Sequence, residues 1–293
     1  MRMLQAVRAT LMAGAVAALA ACGGSVPSPG ASPGRSVATG TATPGPAGSR
    51  TASPQPVTPS TSPGTQPAAE PSTTHTGATP ITAPLAGHDW TCIPTRRHVV
   101  ALTFDAGANA DGVSSILATL QRDHVPATFF LTGDFVRGYP AIARQIAADG
   151  FRIGDHTVSH PYLTGLGDAA VRREILGAAD QITAVTGANP APLFRFPFGD
   201  ADGRTIAIAN RIGYVPVRWT VDTLGWEGTA GHITTSVVAA RVLAGLRPGE
   251  IVLMHVGSNP DDHTTFDADA LPPIISELRA RGYSFVTLDA LMS

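Results

Sequence analysis

Residues 88–293 of this 293-residue chain predict an α/β fold, a (β/α) barrel of about seven parallel strands, with an open doubly wound sheet as the alternative. Two observations predict it. Short apolar runs alternate with helical periodicities from His88 to Ser293. An ionisable residue also stands at or just beyond the end of most of those runs, which core packing does not require.

Val99 to Phe104 (VVALTF) is apolar, rich in β-branched and aromatic residues, and reads as a buried strand. Val113 to Gln121 predicts a helix, Ala127 to Leu131 a strand, Ala141 to Ala148 a helix and Phe151 to Gly154 a short strand. The clearest helix runs over Asp168 to Thr186. There Val171, Ile175, Ala178, Ile182 and Val185 step by 4, 3, 4 and 3 and share one face. Asp168 reads as its N-cap and Gly187 as its stop. Further strands are expected at Leu193 to Phe196, Tyr214 to Trp219, Ile251 to His255 and Ser284 to Leu288. Helices are expected at Arg204 to Ile212, Thr235 to Ala244 and Leu271 to Arg281. Asp261, Asp262, His263, Asp267 and Asp269 read as a solvated polar loop after the last polar strand end.

The first 87 residues differ in kind. Arg2 and Arg8 precede Ala9 to Ala21, 13 residues apolar apart from Thr10 and Gly14. A bilayer core needs roughly 20, so this is an export signal and not a span. It ends in Leu19-Ala20-Ala21-Cys22, which resembles the lipobox of bacterial lipoproteins; the resemblance implies a signal over residues 1–21 and a lipid on Cys22. Cys92 is then left as a free thiol. Gly23 to Gly87 holds 54 Pro, Thr, Gly, Ala and Ser among 65 residues, no aromatic and three charges. Such a segment cannot offset its chain entropy by burial, so residues 22–87 read as a disordered tether reaching roughly 40–50 Å.

The net charge is −2, and all 20 basic residues are Arg. From His88 onward, 16 Arg face 21 Asp plus Glu, a net −5. That excludes a broad nucleic-acid footprint and favours a neutral or masked substrate over an anionic polymer.

The strand ends carry the candidate chemistry: Asp105, then Asp155 with His156 and His160, then Arg195, Asp222 and His255. His156 and His160, four apart, could share a metal on one turn, although two histidines on a polar loop are more often just solvated.

Five segments in order resemble the polysaccharide deacetylases, the NodB-homology family of carbohydrate esterases. Thr103-Phe104-Asp105-Ala106-Gly107 resembles TFDDG, and His156-Thr157-Val158-Ser159-His160 resembles H-[ST]-x-x-H. Arg195-Phe196-Pro197-Phe198-Gly199 resembles R-x-P-[FY]-G, Asp222 to Trp226 resembles D-x-x-x-W, and Leu253-Met254-His255 resembles L-x-H. The resemblance covers residues 88–293 and implies a distorted barrel that removes acetyl groups from N-acetylated peptidoglycan or chitin-like glycans. It implies a divalent metal, zinc or else cobalt or nickel, on His156 and His160, with Asp105 as general base and His255 as general acid. Arg195 would pair with Asp105, Asp222 would orient His255, and Phe198, Trp226 and Leu253 would contact substrate. The implied partners are the glycan and, through the lipid, the outer face of the cell membrane; no protein or nucleic-acid partner is expected. The segments depart twice from the family pattern. Ala106 replaces the metal-ligand Asp, for which water, Asp155, Asn109 or Asp111 could stand in; a catalytically impaired glycan binder is the alternative. Gly225 stands where many relatives carry Asp.

Overall fold

The structure, a computed structural model, describes residues 79–293. The expected export signal, Cys22 and the tether up to residue 78 lie outside the described residues. The strands are β1 (Val99–Ala106), β2 (Ala127–Leu131), β3 (Arg152–Asp155), β4 (Leu193–Phe194), β5 (Val215–Pro216), β6 (Val221–Asp222), β7 (Glu250–His255) and β8 (Ser284–Phe285). The helices are α1 (Val113–Arg122), α2 (Gly133–Gly138), α3 (Pro140–Ala148), α4 (Asp168–Thr186), α5 (Gly203–Arg211), α6 (Thr235–Ala244) and α7 (Phe266–Ala280).

The ladders between these strands are all parallel, in the order β5-β4-β3-β2-β1-β7-β6, with β8 added beside β1. β1 is buried along all eight residues, as a parallel strand covered on both faces must be. Val100, Leu102 and Phe104 join a core with residues of α1, α6 and α7. Ala101 faces the other way, into a cluster with Phe130, Leu193, Val215, Val217 and Ile251. In a flat sheet β5 and β7 would stand five strand spacings apart, roughly 24 Å. Val215 and Ile251 share one cluster, so the sheet curls into a half-barrel.

The segment ahead of β1 spans the two sides of that curl. Trp90 pairs with Val217 beyond β5, and Cys92 with Glu250 of β7. The Ile93 amide donates to the Gly249 carbonyl at 2.8 Å, and Gly249 has φ +76°. A β-carbon there would sit 2.0 Å from the Ile93 carbonyl oxygen, so this crossing admits only glycine.

Several sequence expectations change. The barrel of about seven parallel strands holds, and β6 joins it as a two-residue strand too short to show a period. α2 was unread for the same reason: six residues between glycines, capped by the Thr132 hydroxyl accepting from the Phe135 amide. Asp168 is the first helical residue of α4, and Gly167 is the cap. Packing begins before His88, since the Ile81 amide donates to the Asn210 carbonyl and the Gly87 amide to the Asn210 side chain. α7 starts at Phe266, five residues ahead of the expected Leu271. Cys92 is no free thiol: it is buried and disulfide-bonded.

Candidate active site

The parallel register brings the strand ends level. Asp105 on β1 lies beside His255 on β7, Leu131 beside Asp155, and Leu253 beside Asp222. Thr157, His160, Phe198 and Leu224 are four of the seven non-glycine residues with positive φ among those described, and all four sit in loops at this end of the sheet. Backbone held in so sparsely populated a region is a mark of functional loops.

Asp105 and Arg195 form the buried centre. Arg195 is fully buried, and its Nη1 donates to Asp105 Oδ1 at 2.7 Å. Its other nitrogens donate to the Val217 and Arg218 carbonyls at 3.1 and 3.0 Å, and its guanidinium lies 4.2 Å from the Phe130 ring centroid. Burial raises the Asp105 pKa, but Arg195, His156 and His255 together hold it below the ordinary carboxylate value. Asp105 is therefore an ionised carboxylate with one oxygen held by Arg195. Its other oxygen, Oδ2, lies 3.3 Å from His156 Nε2.

His156 is buried, and its Nδ1 lies 2.9 Å from the Arg195 carbonyl oxygen. Burial lowers its pKa most, beyond what Asp105 returns. The His160 and His156 ring centroids are 4.7 Å apart, and burial takes the His160 pKa down to about 4. Phe198 packs edge-on to His160 at 4.4 Å and stacks on Tyr162 at 4.2 Å, and both Phe198 and Tyr162 are exposed. Sequence reading missed Tyr162; an aromatic residue two positions past His160 was the available signal.

On the opposite side, His255 is 28% exposed, and the carboxylate at ion-pair distance from its Nδ1 is Asp267 Oδ2, at 3.7 Å. Burial opposes the charged imidazole, but Asp267, Asp105 and Asp222 outweigh it and leave His255 above the ordinary histidine value. Asp222, which the motif order assigned to His255, uses Oδ1 to accept from the Leu224 amide at 2.9 Å in its own turn. The Asp267 carboxylate is only 3% exposed, which corrects the expectation of a solvated loop. Trp226 is exposed at the rim with its ring 6.3 Å from that of His255, and Leu253 is buried on β7.

Ala106 is fully buried and belongs to the apolar cluster beneath the helices. The expected stand-ins do not gather beside the histidines. Asn109 is bonded to the Ser258 amide and carbonyl, and Asp111 Oδ2 accepts from the Ser258 hydroxyl. Asp155 accepts from the Thr157 amide, and burial raises its pKa well above the usual value. No group of three or more His, Cys, Asp or Glu arranged for a metal exists among the described residues. Two donors do fit a cation. The Arg195 carbonyl can only accept, so His156 carries its proton on Nδ1 and, when neutral, aims the Nε2 lone pair at the Asp105 carboxylate 3.3 Å away. Two electron-rich atoms in that position call for a cation or a proton between them. The His156 Nε2 and Asp105 Oδ2 pair thus fits a cation, with the His160 ring 4.7 Å from that of His156.

Fold and site together define a hydrolase built on a curled (β/α) half-barrel. Residues 93–217 match the family model described as polysaccharide deacetylase. A peptidoglycan-N-acetylglucosamine deacetylase of Bacillus cereus is 34% identical over 198 residues, 68% of this chain and 70% of that protein. A chitooligosaccharide deacetylase of Azorhizobium caulinodans is 32% identical over 197 residues, 64% of this chain and 92% of that protein. A crystal structure of a peptidoglycan N-acetylglucosamine deacetylase with a bound N-oxidanyl-benzamide matches with a TM-score of 0.63 at 32% identity, over 69% of this chain and 91% of that one. A CE4 family pseudoenzyme from Bacillus anthracis matches with a TM-score of 0.65 at 26% identity, over 71% and 70%. The chain belongs to the polysaccharide deacetylase family.

Proposed function

We propose that this chain hydrolyses the N-acetyl amide of cell-wall glycan, with peptidoglycan as the first substrate to test. The observation that carries the reading is the pairing of Asp105 and His255 on adjacent strands, an ionised carboxylate beside an imidazole held toward its charged form. Amide hydrolysis needs both, because water must lose a proton while the amine leaves protonated. Asp105 takes the proton from water as its oxygen bonds to the acetyl carbon. His255 gives a proton to the nitrogen as the C–N bond breaks, yielding acetate and the free amine. Arg195 keeps Asp105 ionised and oriented. A divalent metal on His156 and His160, zinc first, would polarise the acetyl carbonyl.

Tyr162, Phe198 and Trp226 are exposed aromatics around the site, and such faces stack on sugar rings. The relatives above, named for peptidoglycan and chitooligosaccharide deacetylation, support the substrate class. Location at the outer face of the membrane is also proposed, through a lipid on Cys22. Mass spectrometry of the membrane fraction tests this: unlipidated Cys22 sinks the anchor.

Acetate release from peptidoglycan and from N-acetylglucosamine oligomers, with zinc, cobalt or nickel supplied, tests the activity. Release above the no-enzyme control that is lost in Asp105→Asn supports it. No release from any of these substrates overturns it in favour of glycan binding without turnover.

A further inference from the structure

We propose that Asp267, in the first turn of α7, is the positioning residue for His255, and that Gly225 is the opening that admits its carboxylate. The inference rests on the deacetylase reading above.

Asp267 is tied at both oxygens. Oδ1 accepts from the Thr223 hydroxyl at 2.6 Å, and Oδ2 accepts from the His255 amide at 2.8 Å while lying 3.7 Å from His255 Nδ1. His255 Nδ1 is buried and has no hydrogen-bond partner within reach among the described residues. One carboxylate therefore fixes the backbone of His255 and faces its buried ring nitrogen. A movement of under an ångström would close that separation to a charge-assisted hydrogen bond.

Gly225 makes the arrangement possible. A β-carbon at this position would sit 2.3 Å from Asp267 Oδ1, 2.4 Å from Cγ and 2.8 Å from Oδ2. Any side chain at 225 and the Asp267 carboxylate thus claim the same volume. The loop that would have carried a carboxylate there has none, and α7 delivers one into the space. Asp222 makes no ion pair with His255 and uses its Oδ1 on the Leu224 amide in its own turn. The titratable groups facing His255 are Asp267 from α7, Asp105 from β1, Asp222 from β6, and His156 and His160 beyond β3, with the Trp226 ring at the rim. All three carboxylates favour the imidazolium, and Asp267 is first among them.

Three full-chain variants test this: Asp267→Asn, Gly225→Asp, and Gly225→Asp combined with Asp267→Ala. Each is assayed for kcat and KM across pH, and the His255 imidazole is titrated by NMR. Asp267→Asn should lower kcat roughly 10- to 100-fold, part of the ~10²–10⁴ that general acid catalysis supplies, with KM little changed. Its alkaline limb and its His255 titration should both move to lower pH. Gly225→Asp alone should be impaired by the overlap, and a folded double variant should recover part of the lost kcat. A folded double variant no more active than Asp267→Asn overturns the shared-volume half of the proposal. Unchanged kcat in Asp267→Asn, or lower thermal stability with an unmoved His255 titration, overturns the positioning role. If the wild type releases no acetate, the deacetylase reading fails, while the imidazole titration still tests the Asp267–His255 link.

Discussion

The main-chain carbonyl of Arg195 and the Nδ1 of His156, 2.9 Å apart, fix the tautomer of the imidazole that faces Asp105. The same arginine holds Asp105 through its side chain at 2.7 Å. One residue thus sets the proton position on His156 with its backbone and the charge on Asp105 with its guanidinium.

Arg195→Leu should therefore be severe. Removing one partner of a buried ion pair costs about 3–5 kcal/mol, because the other charge is left buried. The pH dependence has a definite sign. The folded-state pKa of Asp105 lies below its unfolded value, so the pair's contribution is present at neutral pH and lost as pH falls through the folded pKa. Denaturant unfolding should show a larger loss for Arg195→Leu at pH 7 than at pH 3. An equal loss at both would mean that packing, and not the pair, carries the effect.

Glu250 works in the opposite direction. It is fully buried with Oε1 unpartnered, and burial pushes its pKa up to about 7. Its folded form holds a proton that the unfolded chain releases, so Glu250 lowers stability as pH rises from about 4.5 to about 7. Glu250→Gln should flatten stability over that window. Parallel slopes for wild type and variant in urea titrations at pH 4.5, 6 and 7.5 would refute this.

Tyr162 and Phe198 stack at 4.2 Å beside His160. If this pair carries a sugar ring, Tyr162→Ala should raise KM for oligosaccharide about 3- to 10-fold, the equivalent of roughly 0.5–1.5 kcal/mol of aromatic contact, with kcat nearly unchanged. A fall in kcat at constant KM would assign Tyr162 to the chemistry instead.

Ala106→Asp places a carboxylate where the protein now has a buried methyl. Without metal it should lower the melting temperature, since an unpaired carboxyl enters an apolar site. Zinc should restore stability to this variant by more than it adds to the wild type. Equal zinc shifts in the two proteins would show that position 106 does not reach the metal.

Gly249→Ala confronts the Ile93 carbonyl at 2.0 Å with φ +76°. It should cost more than about 1 kcal/mol, since the native conformation is incompatible with a side chain. A melting temperature within a degree of wild type would show that the crossing relaxes.

Most of the architecture was legible because the signals were long. The 19 residues of α4 repeat a helical period, and β1 and β2 are largely apolar runs buried at every residue. The ends of elements were not. α7 begins at Phe266, and the expected start at Leu271 leaves out its first turn with Asp267 and Asp269. That error concealed Asp267, which was assigned to a loop five residues too long. Asp105, His156, Arg195 and His255 were legible because each stands at or beside the end of an apolar run, and His160 because it lies four residues past His156. Asp267 is legible only in three dimensions, where the absent side chain of Gly225 makes room for it.

The stitch made by Trp90 and Cys92 has a mechanical consequence. Residues 90–93 hold opposite sides of the curled sheet, at Val217 on one side and at Glu250 and Gly249 on the other. A pull applied from the N-terminal side of the domain reaches this seam before it reaches any strand. The contacts at Pro216, Val217 and Gly249 would bear that load ahead of Asp105 and His255, so a pull on residues 90–93 strains the wall of the barrel before it disturbs the chemistry inside.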